Sequence, residues 1–77
     1  MTIQVKYFAS LRDQLGRNQD QLSGSDALTV TQIWSQLWPE TPLPPNTLVA
    51  VNQEYAELHQ PVQDGDEVAF FPPVTGG

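Results

Sequence analysis

The sequence predicts an α+β fold in which one main helix packs across one face of a mixed sheet. Residues 2–8 alternate apolar and polar side chains, as a half-buried strand does. Residues 30–38 repeat apolar side chains at helical spacing, and residues 48–51 and 67–71 are short runs rich in β-branched and aromatic side chains. Strands on both sides of one long helix favour a single sheet that the helix covers.

A short helix is predicted directly after the first strand. Ser10 is a candidate N-cap, Leu11 and Leu15 lie four residues apart on one face, and Gly16 stands where a left-handed C-cap is expected. Residues 18–23 are polar apart from one leucine, so they predict a weak strand at an edge of the sheet.

The strongest helical signal follows a predicted loop at residues 24–26. Thr29 and Gln32 have the spacing of a capping box, and Pro39 ends the helix because it lacks a backbone donor. We expect the two tryptophans of the apolar stripe to supply core area rather than to stack on a ligand. The stripe consists of Val30, Ile33, Trp34, Leu37 and Trp38.

Three further strands are predicted after a stiff, proline-rich connection at residues 42–45. The unbroken apolar run at residues 48–51 indicates a strand buried on both faces. The remaining pattern gives, in order, a turn at 52–54, a brief strand at 55–58, a turn at 64–65 and a last strand at 67–71.

The composition excludes several classes of function. The chain has 77 residues, no cysteine, one histidine and a formal net charge of -6. Three basic residues against nine acidic ones argue against nucleic acid and anionic membranes as partners. The charge predicts a basic protein partner, although solubility alone also explains it. With no targeting or membrane-spanning pattern, a cytoplasmic protein is expected.

Side-chain catalysis and metal binding are also disfavoured. His59 has no second histidine and no thiolate beside it, so no metal site is predicted. Asp64, Asp66 and Glu67 superficially resemble a calcium loop but lack its 12-residue ligand spacing, so turn chemistry and a solvated rim explain them better.

The carboxyl-terminal residues carry the most informative pattern. An apolar strand passes through Pro72 and Pro73 into Val74 and Thr75 and then into Gly76 and Gly77. Residues 1–71 therefore form a predicted domain and residues 72–77 an extended tail, which reaches at most about 20 Å at ~3.3–3.6 Å per residue. A frayed terminus is the alternative, but the two prolines stiffen this segment. Glycine lets a backbone enter a narrow channel and leaves the last carbonyl carbon open to attack.

The same residues resemble a known family. The run DGDEVAFFPPVTGG at residues 64–77, together with Phe8-Ala9, Leu11-Arg12 and residues 49–52, resembles the small, sulfur-carrying subunits of molybdopterin synthase, which are ubiquitin-like β-grasp proteins. The resemblance covers essentially the whole chain. The Phe-Phe-Pro-Pro stem is its most specific part, since a Gly-Gly end is shared by many ubiquitin-like proteins.

The resemblance implies a role in sulfur transfer. An E1-like adenylyltransferase would use ATP to convert Gly77 to a glycyl adenylate, and a sulfur donor protein would then yield a thiocarboxylate, 1-thioglycine. The loaded chain would donate sulfur to cyclic pyranopterin monophosphate within a heterotetramer formed with the large synthase subunit. No permanently bound cofactor and no catalysis by the chain alone are implied.

The resemblance also implies which residues meet the large subunit. Phe70 and Phe71 are the expected interface residues, since aromatic anchors tend to dominate binding energy. Phe8 is a further candidate, for which a place in the core is the alternative. The tail segment expected to enter the partner consists of Pro72, Pro73, Val74, Thr75 and Gly76.

Three alternative functions remain open at this point. The chain could carry sulfur for thiamine synthesis or tRNA thiolation, although thiamine carriers are usually shorter and lack the two-proline stem. It could modify proteins, because an activated glycine also acylates lysine. It could also be a plain interaction module with an inert tail.

Overall fold

The structure, a computed structural model, describes residues 2–23 and 28–72. The predicted loop at 24–26 and the tail residues 73–77 lie outside the described residues. In chain order the elements are β1 (Ile3–Tyr7), α1 (Ala9–Leu15), β2 (Gln19–Leu22), β3 (Leu28–Thr29), α2 (Val30–Leu37), β4 (Leu48–Val51), β5 (Glu54–Ala56), β6 (Pro61–Val62) and β7 (Glu67–Phe71). The predicted α+β class is confirmed.

The last strand along the chain occupies the middle of the main sheet. Its strand order is β2-β1-β7-β4-β5, and β3 pairs with β6 in a separate small sheet. β7 runs parallel to β1, with Tyr7 opposite Phe70, and antiparallel to β4, with Leu48 opposite Phe71. The sheet is therefore mixed, as predicted, and the chain enters its tail from a strand that is held on both sides.

The core lies between the sheet and α2. In β1, Ile3, Val5 and Tyr7 are buried, and in β7, Val68 and Phe70 are fully buried. This alternation places every second side chain of each strand against the helix. The buried cluster also includes Leu11, Val30, Ile33, Trp34, Val49, Val51 and Val62.

Helix α2 begins and ends where the sequence predicts. The Thr29 side chain accepts a hydrogen bond from the Gln32 backbone N–H at 3.2 Å, and the Gln32 side chain accepts one from the Thr29 N–H at 2.9 Å. The capping box is thus complete. The helix ends at Leu37, with Trp38 as its C-cap ahead of Pro39. Among the described residues, no helix has the length and apolar composition needed to cross a membrane.

The start of α1 differs from the prediction. Phe8, not Ser10, is the N-cap, and its side chain makes no capping hydrogen bond. Ala9 follows with a φ of 55°, in the left-handed region that alanine rarely adopts. Gly16 is the predicted left-handed C-cap, with a φ of 75°. The Ser10 prediction is wrong because the chain turns into the helix two residues earlier.

The hairpin after β4 is tighter than predicted. Asn52 and Gln53 have φ values of 53° and 70°, as both central residues of a type I′ turn do. Pairing therefore resumes at Glu54, and β5 ends at Ala56 instead of extending to residue 58. The pairing of Pro61–Val62 with Leu28–Thr29 was not predicted, since two-residue strands have no periodicity to detect.

Tyr7 joins three elements through its hydroxyl group. The hydroxyl donates to Asp20 Oδ2 at 3.0 Å and accepts from Trp38 Nε1 at 2.9 Å. Arg17 pairs with the same carboxylate at 2.9 Å, and its guanidinium lies 4.1 Å from the centre of a Trp38 ring. The cluster fixes β2 and the end of α2 to β1.

Tyr7→Phe is expected to lower the free energy of unfolding by about 1–2 kcal/mol, because the half-buried Trp38 Nε1 then loses its acceptor. Urea unfolding followed by circular dichroism measures the effect. Tyr55→Phe is the matched control, since Tyr55 is 80% exposed and its stability change should be negligible. Equal unfolding midpoints for the two variants would contradict the role given to the Tyr7 hydroxyl.

Because of the same Tyr7 hydroxyl, we expect the stability of the fold to decrease at alkaline pH. Burial raises the pKa of Tyr7 above its ordinary value, with a smaller upward contribution from the Asp20 bond, while the Trp38 bond lowers it. The folded state therefore holds this proton more tightly than the unfolded state. Its contribution to stability is complete below about pH 10 and is lost as the pH rises from there. Tyr7→Phe should remove this part of the decrease in the free energy of unfolding at alkaline pH.

Candidate functional site

A groove lies on the face of the sheet opposite α2. Because Tyr7, Val68 and Phe70 point into the core, their neighbours along β1 and β7 point outward. The groove has a volume of about 420 Å³. We refer to it as the open-face groove; it is lined by Lys6, Phe8, Ala50, Gln53, Tyr55, Glu67, Ala69 and Phe71.

Small side chains form the floor of the open-face groove and aromatic side chains its walls. Ala50 lies opposite Ala69 in the β4–β7 pairing and opposite Tyr55 in the β4–β5 pairing. At the far wall the Phe8 and Phe71 rings stack with centroids 5.0 Å apart and an interplanar angle of 9°. Phe8 is 40% exposed and Tyr55 80% exposed. A concave, partly apolar surface with exposed rings is suited to binding a partner.

Two of the three predicted interface residues lie in this groove. Phe8 and Phe71 are at its surface, whereas Phe70 has 0% exposure and packs against Tyr7 and Trp34 in the core. The prediction that Phe70 faces a partner is therefore wrong. Tyr55 was not predicted; its position opposite a small residue on the outward face is the signal that identifies it.

The predicted tail begins beside the aromatic wall. β7 ends at Phe71, whose ring stacks on Phe8, and half-buried Pro72 follows without regular structure. Residues 73–77, including the predicted reactive Gly77, lie outside the described residues. The division into a domain of residues 1–71 and a tail of residues 72–77 stays a prediction.

The acidic turn is held by local hydrogen bonds. Asp66 accepts from the Gln63 backbone N–H at 2.9 Å and from the Asn52 side chain at 3.1 Å. These two bonds, the first more than the second, lower the pKa of its carboxyl group. The carboxylate thus acts in turn formation, as predicted. His59 lies in an exposed turn, and within residues 2–23 and 28–72 no three metal-ligating side chains converge.

Comparison with known proteins identifies the family. The ThiS family model matches residues 5–77. The chain belongs to this family. It is 38% identical to the molybdopterin synthase sulfur carrier subunit of Escherichia coli, over 97% of this chain and 99% of that protein. It is 37% identical to the subunit of the same name from Haemophilus influenzae, with the same coverage.

The fold of the ThiS-family chain has solved counterparts. The crystal structure of SAMP1 from Haloferax volcanii superposes with a TM-score of 0.81 at 27% identity, and the match covers 100% of both chains. The predicted ubiquitin-like β-grasp fold is thereby confirmed. The sequence resemblance to the sulfur-carrying subunits is confirmed by the curated relatives.

Proposed function

We propose that this chain is the sulfur carrier subunit of a molybdopterin synthase and that the carboxyl group of Gly77 carries the sulfur. The observation that carries the proposal is the glycine pair at the end of a chain related over its full length to such subunits. The main-chain carboxylate needs no cysteine, which agrees with a sequence that contains none.

The chemistry follows from the weakness of a carboxylate as an acyl donor. An E1-like adenylyltransferase uses ATP to form the Gly77 acyl adenylate, with release of pyrophosphate. Sulfur at the sulfide level, supplied by a donor protein, attacks the carbonyl carbon of Gly77; the bond to AMP breaks, AMP leaves, and a thiocarboxylate remains. The thiocarboxylate sulfur then bonds to cyclic pyranopterin monophosphate, and hydrolysis of its bond to Gly77 leaves the sulfur on the pterin and returns the Gly77 carboxylate. Because a dithiolene contains two sulfur atoms and each chain has one terminus, two loaded carriers serve each product.

The open-face groove is the proposed contact with the large synthase subunit. Phe8, Tyr55 and Phe71 supply exposed aromatic area next to the start of the tail. A tail of residues 72–77 would then enter the partner while the groove anchors the domain. The net charge of -6 suits a basic partner and makes this chain unsuited to holding a phosphorylated pterin itself. In the proposed heterotetramer the large subunit therefore carries out catalysis. The proposed location of the complex is the cytoplasm.

Intact-mass spectrometry tests the proposal. The chain is incubated with its activating enzyme, ATP and a sulfur source, and the expected result is the mass increase of one oxygen-to-sulfur exchange at Gly77. The loaded chain, mixed with the large subunit and cyclic pyranopterin monophosphate, should then yield molybdopterin. An unchanged mass overturns the proposal.

The competing functions give different results in the same assay. Sulfur transfer only to a thiamine-synthesis or tRNA-thiolation partner would assign the chain to another pathway. Lysine-linked adducts that survive reducing denaturation, without a thiocarboxylate, would identify a protein modifier. Each of these outcomes contradicts the synthase assignment.

A further inference from the structure

One ion pair lies within the otherwise uncharged open-face groove. Lys6 Nζ is 3.5 Å from Glu67 Oε1, and the two side chains are 37% and 33% exposed. The parallel pairing of β1 with β7 brings them together, since Gln4 lies opposite Glu67 and Lys6 opposite Ala69. Lys6 is the single lysine of the sequence.

The pair makes the groove electrically neutral in a strongly acidic molecule. The other lining residues carry no formal charge; they are Phe8, Ala50, Gln53, Tyr55, Ala69 and Phe71. The chain as a whole carries -6. The net negative charge therefore lies outside the groove, where it steers a basic partner at long range, whereas the contact surface itself has no net charge.

Covering this groove would remove water from both charges. A half-exposed pair contributes little to the stability of the free chain, because solvent screens it. Once a partner covers it, each charge depends on the other, and loss of one leaves the other buried and uncompensated. A partner that places its own unpaired charge over Lys6 or Glu67 would incur the same penalty.

We propose that Lys6 and Glu67 are specificity-determining residues of the large-subunit interface. Because the two charges neutralise each other, a partner surface that is apolar and uncharged over the pair can bind. A surface that brings an unpaired charge there binds poorly. This inference rests on the proposed function, since it requires the large subunit to cover the open-face groove.

A double-mutant cycle tests the inference by measuring the dissociation constant for the large subunit. Lys6→Met and Glu67→Gln should each weaken binding about thirtyfold, which corresponds to the lower end of the ~2–5 kcal/mol seen when one partner of a buried pair is lost. The double variant Lys6→Met/Glu67→Gln should bind within about threefold of the parent chain, because no charge is left unpaired. The exchanged pair Lys6→Glu/Glu67→Lys should also retain most of the affinity.

The two single variants distinguish local pairing from long-range attraction. Lys6→Met makes the chain more negative and Glu67→Gln makes it less negative, so long-range attraction would move the affinity in opposite directions. The proposed pair requires both variants to weaken binding, chiefly through faster dissociation. Urea unfolding of the free variants should give unchanged midpoints, which excludes a folding defect.

The possible outcomes separate this inference from the proposed function. If the parent chain binds and loads sulfur but either single variant binds equally well, the inference is overturned and the proposed function stands. Losses that simply add in the double variant also overturn it. If the parent chain does not bind the large subunit, both proposals fail together.

Discussion

Deleting Gly76 and Gly77 is expected to abolish sulfur loading completely while the domain stays folded. The proposed reaction uses the terminal carboxyl group, and a chain that ended at Thr75 would present a branched side chain beside the carbonyl carbon that must be attacked. The buried cluster of the described residues is complete between Ile3 and Phe70. We therefore expect the free energy of unfolding to change by less than about 0.5 kcal/mol.

Intact-mass spectrometry and urea unfolding on the same preparation measure both effects. His59→Gln is the matched control, since the proposed chemistry uses no side chain of this chain and His59 lies in an exposed turn. It should load sulfur at the parental rate. Full loading of the deleted chain would overturn the role of Gly77, and loss of loading in His59→Gln would show that a side chain takes part.

The sequence predicts the elements of this fold best where each strand or helix has one polar and one apolar face. The alternation in residues 2–8 determines which side chains of β1 face the core, and Ile3, Val5 and Tyr7 are buried as expected. The capping box at Thr29 and Gln32 determines where α2 begins. In both cases the decisive contacts lie within a few residues along the chain, so local rules suffice.

Where a strand lacks that alternation, its pairing with neighbouring strands settles which side chains face the core. The run at residues 67–71 is apolar in four consecutive positions, so only the charge of Glu67 at its start indicates whether Phe70 or Phe71 faces the core. The register that places Tyr7 opposite Phe70 decides it, and Phe71 is left for the open face. Tyr55 was not predicted for the same reason. It lines the groove because strand pairing places it opposite the small Ala50 on the neighbouring strand.

Phe8 illustrates how a candidate site departs from local preference. It occupies the N-cap of α1, where serine, threonine, aspartate and asparagine are preferred, and its side chain caps nothing. Sequence rules therefore place the cap at Ser10, which has a suitable side chain. The ring at residue 8 instead stacks on Phe71 at the rim of the open-face groove. The position thus lacks a capping hydrogen bond and instead carries a ring of the proposed interface.

Phe8→Asp is consequently expected to separate binding from stability. It removes an exposed ring of the proposed interface and places a carboxylate in a neutral groove, so the dissociation constant for the large subunit should rise about a hundredfold. Aspartate is at the same time a favoured N-cap residue, which offsets the lost stacking with Phe71. The free energy of unfolding should stay within about 1 kcal/mol of the parent value.

Ser35→Asp is the matched charge control for this experiment. Ser35 is exposed on α2, which packs on the opposite face of the sheet, and the substitution adds the same charge without touching the groove. Its affinity for the large subunit should equal or slightly exceed that of the parent chain, since the added charge lies outside the groove and only strengthens long-range attraction to a basic partner. If both variants lose affinity equally, the added negative charge and not the lost ring explains the loss, and the partner is then not basic. If neither does, the large subunit binds elsewhere, because an aromatic contact at residue 8 cannot be replaced by a carboxylate without cost.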